Sequence, residues 1–188
     1  MSKTQRLTRM ALLAAVSIVC ILLIQIPIIP AAPFLKYDMA DVPILMGAFM
    51  LGPLAGIEIL VAVSAIQAFF MGGDGIIGLL MHVISSGTLI GVACLIYNKT
   101  GKSTKAMILG LVAGSLAMTV MMIPLNLIFT SLFMDVPLDK VISMLVPAII
   151  PFNLLKAGLN SLIFFFVYKS IRFLFKEKSE IITPQLNK

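Results

Sequence analysis

Apolar residues run through this chain in long blocks, broken at a few sharply polar points. Spanning a bilayer takes about 20 apolar residues in a helix, and five blocks reach that length: 7–30, 42–71, 76–97, 106–133 and 141–175. Gly52-Pro53 interrupts the second block. A Gly-Pro step either kinks a helix or ends one and opens another, so the block is one bent span or two spans, 42–51 and 54–71. Between the first two blocks lies Phe34-Leu-Lys-Tyr-Asp-Met-Ala-Asp-Val-Pro43, a polar segment between two long apolar runs that carries two of the chain's eight acids. A second hydrophilic loop, Asn98 to Lys105, precedes the 106–133 span, and a polar tail, 176–188, is expected to fray.

Charge decides the number of spans. With six spans and a cytoplasmic N-terminus, the inner side holds Lys3, Arg6, Arg9, Lys99, Lys102, Lys105, Lys169, Arg172, Lys176, Lys178 and Lys188, eleven of the 14 basic residues. Lys36 and Lys140 fall outside and Lys156 within the last span. With five spans every basic residue beyond the break changes side, leaving four inside against nine outside. Cytoplasmic loops carry the excess of Lys and Arg, so the reading is an all-α membrane protein, a six-transmembrane-helix bundle with both termini cytoplasmic. The second span is then short, about 15 Å for ten residues. Tyr97 and Tyr168 are expected at the inner interface.

Composition supports one membrane domain over 1–188. Charged residues are 12% of the chain and mean hydropathy is +1.11, against about 25% charged in soluble domains. The net charge of +6 sits beside apolar spans, which argues for lipid and against nucleic acid. The first apolar run is too long for a secretory h-region of about 7–15 residues and is read as a helix. Cys20 and Cys94 lie inside apolar runs with no metal-ligand spacing, so no metal or cofactor is expected. No nucleophile–base pair, HExxH or P-loop is present. Met71-Gly-Gly-Asp-Gly75 lacks the Lys-Ser/Thr that a P-loop needs, so the chain is read as neither an enzyme nor an ATPase.

The informative residues are those a bilayer penalises. Lys156, deep in the last span, costs about 2.5–3.5 kcal/mol on insertion scales. At about 100° per residue, Asn153, Lys156 and Asn160 share about 60° of arc and form one polar stripe. Pro147 and Pro151 kink the helix above it. The stripe has no obvious intramembrane counterion, since Glu58, the one acid within a span, lies nearer the other end. It reads as a polar ligand site reached from outside, with Asn126, after Pro124, within reach of the same cavity. His82 and Gln67 read as hydrogen-bonded core residues. Ala11/Ala15, Gly52/Gly56, Gly87/Gly91 and Gly110/Gly114 are small pairs four apart that let helices approach closely.

These features together resemble the substrate-binding S components of energy-coupling factor (ECF) vitamin transporters, most closely the riboflavin-specific members. Four segments carry the resemblance: Arg9-Met-Ala-Leu-Leu-Ala-Ala15, Leu35-Lys-Tyr-Asp-Met-Ala-Asp-Val-Pro43, Gly47-Ala-Phe-Met-Leu-Gly-Pro-Leu-Ala-Gly56, and Pro147-x-x-x-Pro-Phe-Asn153-x-x-Lys156. The resemblance implies high-affinity binding of riboflavin as a transported ligand, in a multi-pass protein of the bacterial cell membrane. It also implies a membrane coupling protein and two ATPases of the ATP-binding-cassette type as partners, and uptake by toppling of the whole subunit. The ligand-binding residues it suggests are Asn153, Lys156, Asn126 and Asn160, with Lys36, Tyr37 and Asp38 closing the mouth and Leu35 or Met39 packing on the ring. Ala11 and Ala15 would face the coupling protein. Asp41 is expected to cap the helix that begins near Val42. The alternative is an S component for another vitamin or a flavin analogue.

Overall fold

The computed structural model describes residues 2–30, 32–72 and 75–182. Helix α1 (Lys3–Leu23) opens with a capping box: the Ser2 hydroxyl accepts from the Gln5 amide, and the Gln5 side chain accepts from the Ser2 amide. It stops at Leu23, short of the Pro30 expected from the apolar run. Ile26 and Ile29 each precede a proline, which drives a residue out of helical space. Strand β1 (Ile26–Pro27) pairs instead with β2 (Lys36–Tyr37), antiparallel, Ile26 opposite Tyr37 and Pro27 opposite Lys36. This two-residue ladder is the exception to the all-α expectation among the described residues.

Six helical crossings follow the apolar pattern. Helix α2 (Asp41–Leu51) is the short one, and its first eight residues are all buried. Gly52, at φ +106°, makes the turn, and Pro53 opens α3 (Pro53–Phe70) at the position where a missing N–H costs nothing. Helix α4 (Gly75–Lys99) and helix α5 (Thr104–Leu125) form an antiparallel pair. Helix α5 continues through a π turn (Asn126–Thr130) into α6 (Ser131–Met134). After Asp135 in the left-handed region, α7 (Leu138–Met144) and a second π turn (Leu145–Ile149) lead into α8 (Ile150–Ile182). The tail expected to fray is therefore helical as far as Ile182, and 183–188 lie outside the described residues, as do Gly73 and Asp74 of the expected turn. Five of the helical stretches are long and apolar enough to cross a membrane.

Close approach explains one of the glycine pairs. A Cβ at Gly110 would stand 2.6 Å from the Ala93 carbonyl oxygen, and one at Gly114 would stand 2.7 Å from that of Leu89. Neither α5 position tolerates a side chain. Gly87 and Gly91 do not share this role, having no atom nearer than 3.8 Å to an added Cβ.

The main core lies among α2, α3, α4, α5 and α8. At the end away from the hairpin, Phe49 packs against Tyr97 and Phe164, both at 4.9 Å between ring centroids, with Tyr168 alongside. Tyr97 is buried in this cluster, so it closes the bundle end rather than joining an interfacial belt. A second, smaller core sits under the hairpin, where Leu35 and Tyr37 pack with Val141, Ile149 and Phe152.

Candidate ligand-binding site

The first π turn lines a cleft through Asn126 and Thr130, and the second ends just before Phe152 and Asn153, which line it too. Pro124 and Pro147 each lack the N–H that a regular helical ladder requires, and the wider turns re-aim the residues beyond them. Such π-bulges recur at functional sites. The cleft, about 390 Å³, opens between the hairpin segment, α3, α4, the end of α5 and the start of α8. Its walls are largely apolar and sulfur-bearing: Phe34, Leu35, Ile77, Met81, Met118, Met122, Phe133 and Phe152.

A few polar groups converge on it. Lys156 Nζ donates to Asp38 Oδ2 at 2.9 Å. Asp38 comes from the segment just after β2, and its other oxygen accepts the Ala40 amide at 3.1 Å. The lysine therefore has a counterion, contrary to the sequence reading, but one that lies 118 residues away along the chain. Glu58 lies exposed on α3 and makes no ion pair among the described residues. Asn153 donates to the Ile149 carbonyl at 2.8 Å, a group of the second π turn. Its own amide oxygen has no partner among the described residues. Asn126 donates to the Met122 carbonyl at 2.7 Å and accepts from Thr130 at 2.9 Å. Both amides are thus oriented by their own helices while lining the cleft.

Below this surface a hydrogen-bonded layer ties the elements together. Asn160 donates to the Asp38 carbonyl at 3.1 Å and to Asp41 Oδ2 at 3.3 Å, and accepts from the Tyr37 hydroxyl at 3.0 Å. Burial first, and then the Asp38 charge, push the Tyr37 phenol above its ordinary range, so it remains a donor. Asp41 Oδ1 stands 3.4 Å from His82 Nε2, and His82 Nδ1 stands 3.0 Å from the Ser64 hydroxyl. Asp41 does not cap α2: the N-cap is Ala40, without a side-chain bond, and the Asp41 carboxylate reaches across to α4 and α8.

Of the residues singled out from the sequence, Leu35, Lys36, Asp38, Asn126, Asn153 and Lys156 line the cleft. Tyr37, Met39 and Asn160 do not line it: Tyr37 and Asn160 belong to the layer beneath, and Met39 packs between the two cores. The α8 stripe is therefore divided, two residues facing the cleft and one facing the loop that covers it. Gln25, Gln67, His82 and Thr130 also line the cleft. Gln67 and His82 carried a usable signal, as isolated polar residues in apolar spans, whereas Gln25 enters only because α1 stops early. Ala11 and Ala15 lie exposed on α1, away from the cleft lining.

Comparison with known proteins adds the family. The family model described as "ECF transporter, substrate-specific component" matches residues 5–168. The chain is 30% identical over 181 residues to "Riboflavin transporter RibU" of Streptococcus thermophilus, covering 92% of this chain and 85% of that protein. It is 29% identical over 182 residues to the Staphylococcus aureus protein of the same name, covering 91% and 92% respectively. "Riboflavin transporter FmnP" of Bacillus subtilis is 27% identical over 179 residues, covering 90% and 93%. A solved S component of a bacterial ECF transporter superposes with a TM-score of 0.81 at 29% identity, covering 93% of this chain and 99% of that one.

Proposed function

The chain belongs to the family of ECF-transporter substrate-specific components, multi-pass proteins of the bacterial plasma membrane, and on that premise we propose that it binds riboflavin in the cleft beside the hairpin and takes it up together with an ATP-driven energy-coupling module. The observation that carries this reading is the union, in one cleft, of aromatic and methionine walls with an ammonium–carboxylate pair and two oriented amides. Riboflavin has a flat fused ring, an imide edge with alternating acceptors and donor, and a hydroxylated ribityl chain. An apolar cavity with a small number of placed polar groups suits such a molecule. Phe34, Leu35 and Phe152 offer surfaces for the ring. Lys156 and the free amide oxygen of Asn153 offer a donor and an acceptor for its polar edge, with Asn126 as a further contact and Lys36 and Asp38 at the mouth. Tyr37 and Asn160 hold the covering segment, and Met39 supports it from below. The relatives named as riboflavin transporters support the same ligand.

The protein acts as a carrier of its ligand and performs no chemistry on it. Lys3, Arg9, Lys99, Lys102, Lys105, Lys169 and Arg172 are exposed at the helix ends away from the hairpin; the positive-inside rule makes that end cytoplasmic, with both termini, and turns the cleft outward. The exposed Ala11/Ala15 face of α1 suits close approach by a helix of a membrane coupling protein, which links the subunit to two cytoplasmic ATP-binding-cassette ATPases.

Titration of riboflavin into the detergent-solubilised protein, followed by flavin fluorescence, tests the ligand. Saturable one-to-one quenching is expected. Lys156→Ala should weaken binding by about 10- to 100-fold, the worth of a charged hydrogen bond of about 1.5–3 kcal/mol. Absence of saturable binding by the native chain refutes the riboflavin reading, and unchanged affinity in Lys156→Ala refutes the role of the lysine.

A further inference from the structure

A second concavity lies on the outside of the bundle, along the seam between α5 and α8. It encloses about 420 Å³, and its floor is set by Ser115 and Ser161, whose hydroxyls bond each other at 3.1 Å. With those two polar groups mutually satisfied, the remaining surface is apolar, from Leu116 and Leu154 at one end to Ile108 and Phe166 at the other. Gly158 opens its centre: a Cβ there would meet no atom within 4 Å. Unlike Gly110 and Gly114, this glycine is not explained by helix contact inside the bundle.

The groove has a direction. From Leu154 to Phe166 it runs twelve residues along α8, about 18 Å at the helical rise, which is close to one leaflet of a hydrocarbon core about 30 Å thick. Just beyond its lower end both walls become basic. Lys105 stands three residues before Ile108 on α5, and Lys169 stands three residues after Phe166 on α8; spacing of three keeps each close to the groove-facing side of its helix. Both lysines are exposed, and neither forms an ion pair among the described residues.

We propose that this groove is a binding site for an anionic phospholipid, one acyl chain lying between α5 and α8 over Gly158 and the phosphate headgroup held by Lys105 and Lys169. Charge complementarity selects the lipid over a neutral one. An apolar groove of one-leaflet length, ending in two cations at headgroup depth, matches a molecule with an acyl tail and an anionic head better than it matches a transmembrane helix, whose apolar length is about twice as great. The groove shares no lining residue with the cleft, so lipid binding there does not depend on what the cleft binds.

Native mass spectrometry of the full chain in detergent, titrated with phosphatidylglycerol or with phosphatidylcholine of the same acyl chains, tests it. The expected result is retention of one phosphatidylglycerol in preference to phosphatidylcholine. Lys105→Ala/Lys169→Ala, a change confined to exposed side chains, should weaken phosphatidylglycerol binding by about 30-fold, from about 1 kcal/mol per basic residue, and bring it to the phosphatidylcholine level. Gly158→Leu, whose side chain would occupy the open groove, should reduce retention of both lipids while helicity is unchanged. Equal retention of the two lipids by the native chain overturns the proposal, as does undiminished phosphatidylglycerol binding in the lysine double variant. A two-chain mass that disappears in Gly158→Leu would assign the groove to a second copy and would also overturn it.

Discussion

Asp38→Asn isolates the contact on which the upper half of the molecule depends. Asparagine keeps the shape of the side chain and an oxygen that can still accept the Ala40 amide, now 3.1 Å from Asp38 Oδ1. What disappears is the charge facing Lys156 at 2.9 Å. Removing one partner of a fully buried ion pair costs about 3–5 kcal/mol, because the remaining charge is left without compensation. Here the Lys156 side chain is 12% exposed and borders a cleft open to water, and the Asp41 carboxylate lies in the same network, so a cost of about 2–3 kcal/mol is expected. For a chain of this length that corresponds to a fall in Tm of about 4–12 °C. Circular dichroism during thermal unfolding of the ligand-free protein in detergent measures it. The companion Lys156→Gln leaves Asp38 unpaired instead, and the double variant, with no charge on either side, should recover at least half of the summed loss, since groups in direct contact do not act additively. An unchanged Tm in Asp38→Asn, or strictly additive losses in the double variant, would refute the view that this pair fastens the hairpin segment to α8.

Two further outcomes follow from the packing. Gly110→Leu would drive a side chain into the Ala93 carbonyl, 2.6 Å from an added Cβ; overpacking of this kind costs about 1–3 kcal/mol or more, so the yield of folded, monodisperse protein should drop sharply, and a native Tm would contradict the close α4–α5 approach. Ala15→Trp places a bulky group on the exposed side of α1, so riboflavin binding should persist while co-purification with the coupling protein and uptake in cells are lost; recovery of an intact complex would refute that docking face.

Much of the architecture was legible because membrane burial imposes local rules. Apolar runs of about 20 residues mark helices, prolines mark where helical hydrogen bonding fails, and the placement of Lys and Arg resolves Gly52-Pro53 into a turn. The observed breaks are nearby: the π turns begin at Asn126 and Leu145, beside Pro124 and Pro147. The end of α1 at Leu23 is not legible, because residues 24–30 are mostly apolar like the span before them and hydropathy does not distinguish a helix end from an extended strand. His82 is hydrogen-bonded to Ser64 and Asp41, as its isolated place in an apolar span suggests, and borders the cleft as well; Gln67 lines the cleft, which nothing local shows because the sequence does not reveal which way a helix face turns.

The sequence by itself determined most of the helical segments and the spacing that puts Asn153, Lys156 and Asn160 on one face of α8. Those properties depend on residues within a few turns of one another. Only the tertiary structure decided that Asp38 neutralises Lys156, that Asn160 serves the Tyr37–Asp41 network rather than the cleft wall, and that Asp41 bridges toward His82 instead of capping α2. The first two join the hairpin segment to α8, and the third joins α2 to α4. Charge and hydrogen-bonding capacity are properties of a residue, but the partner that satisfies them is chosen by the packing of whole helices.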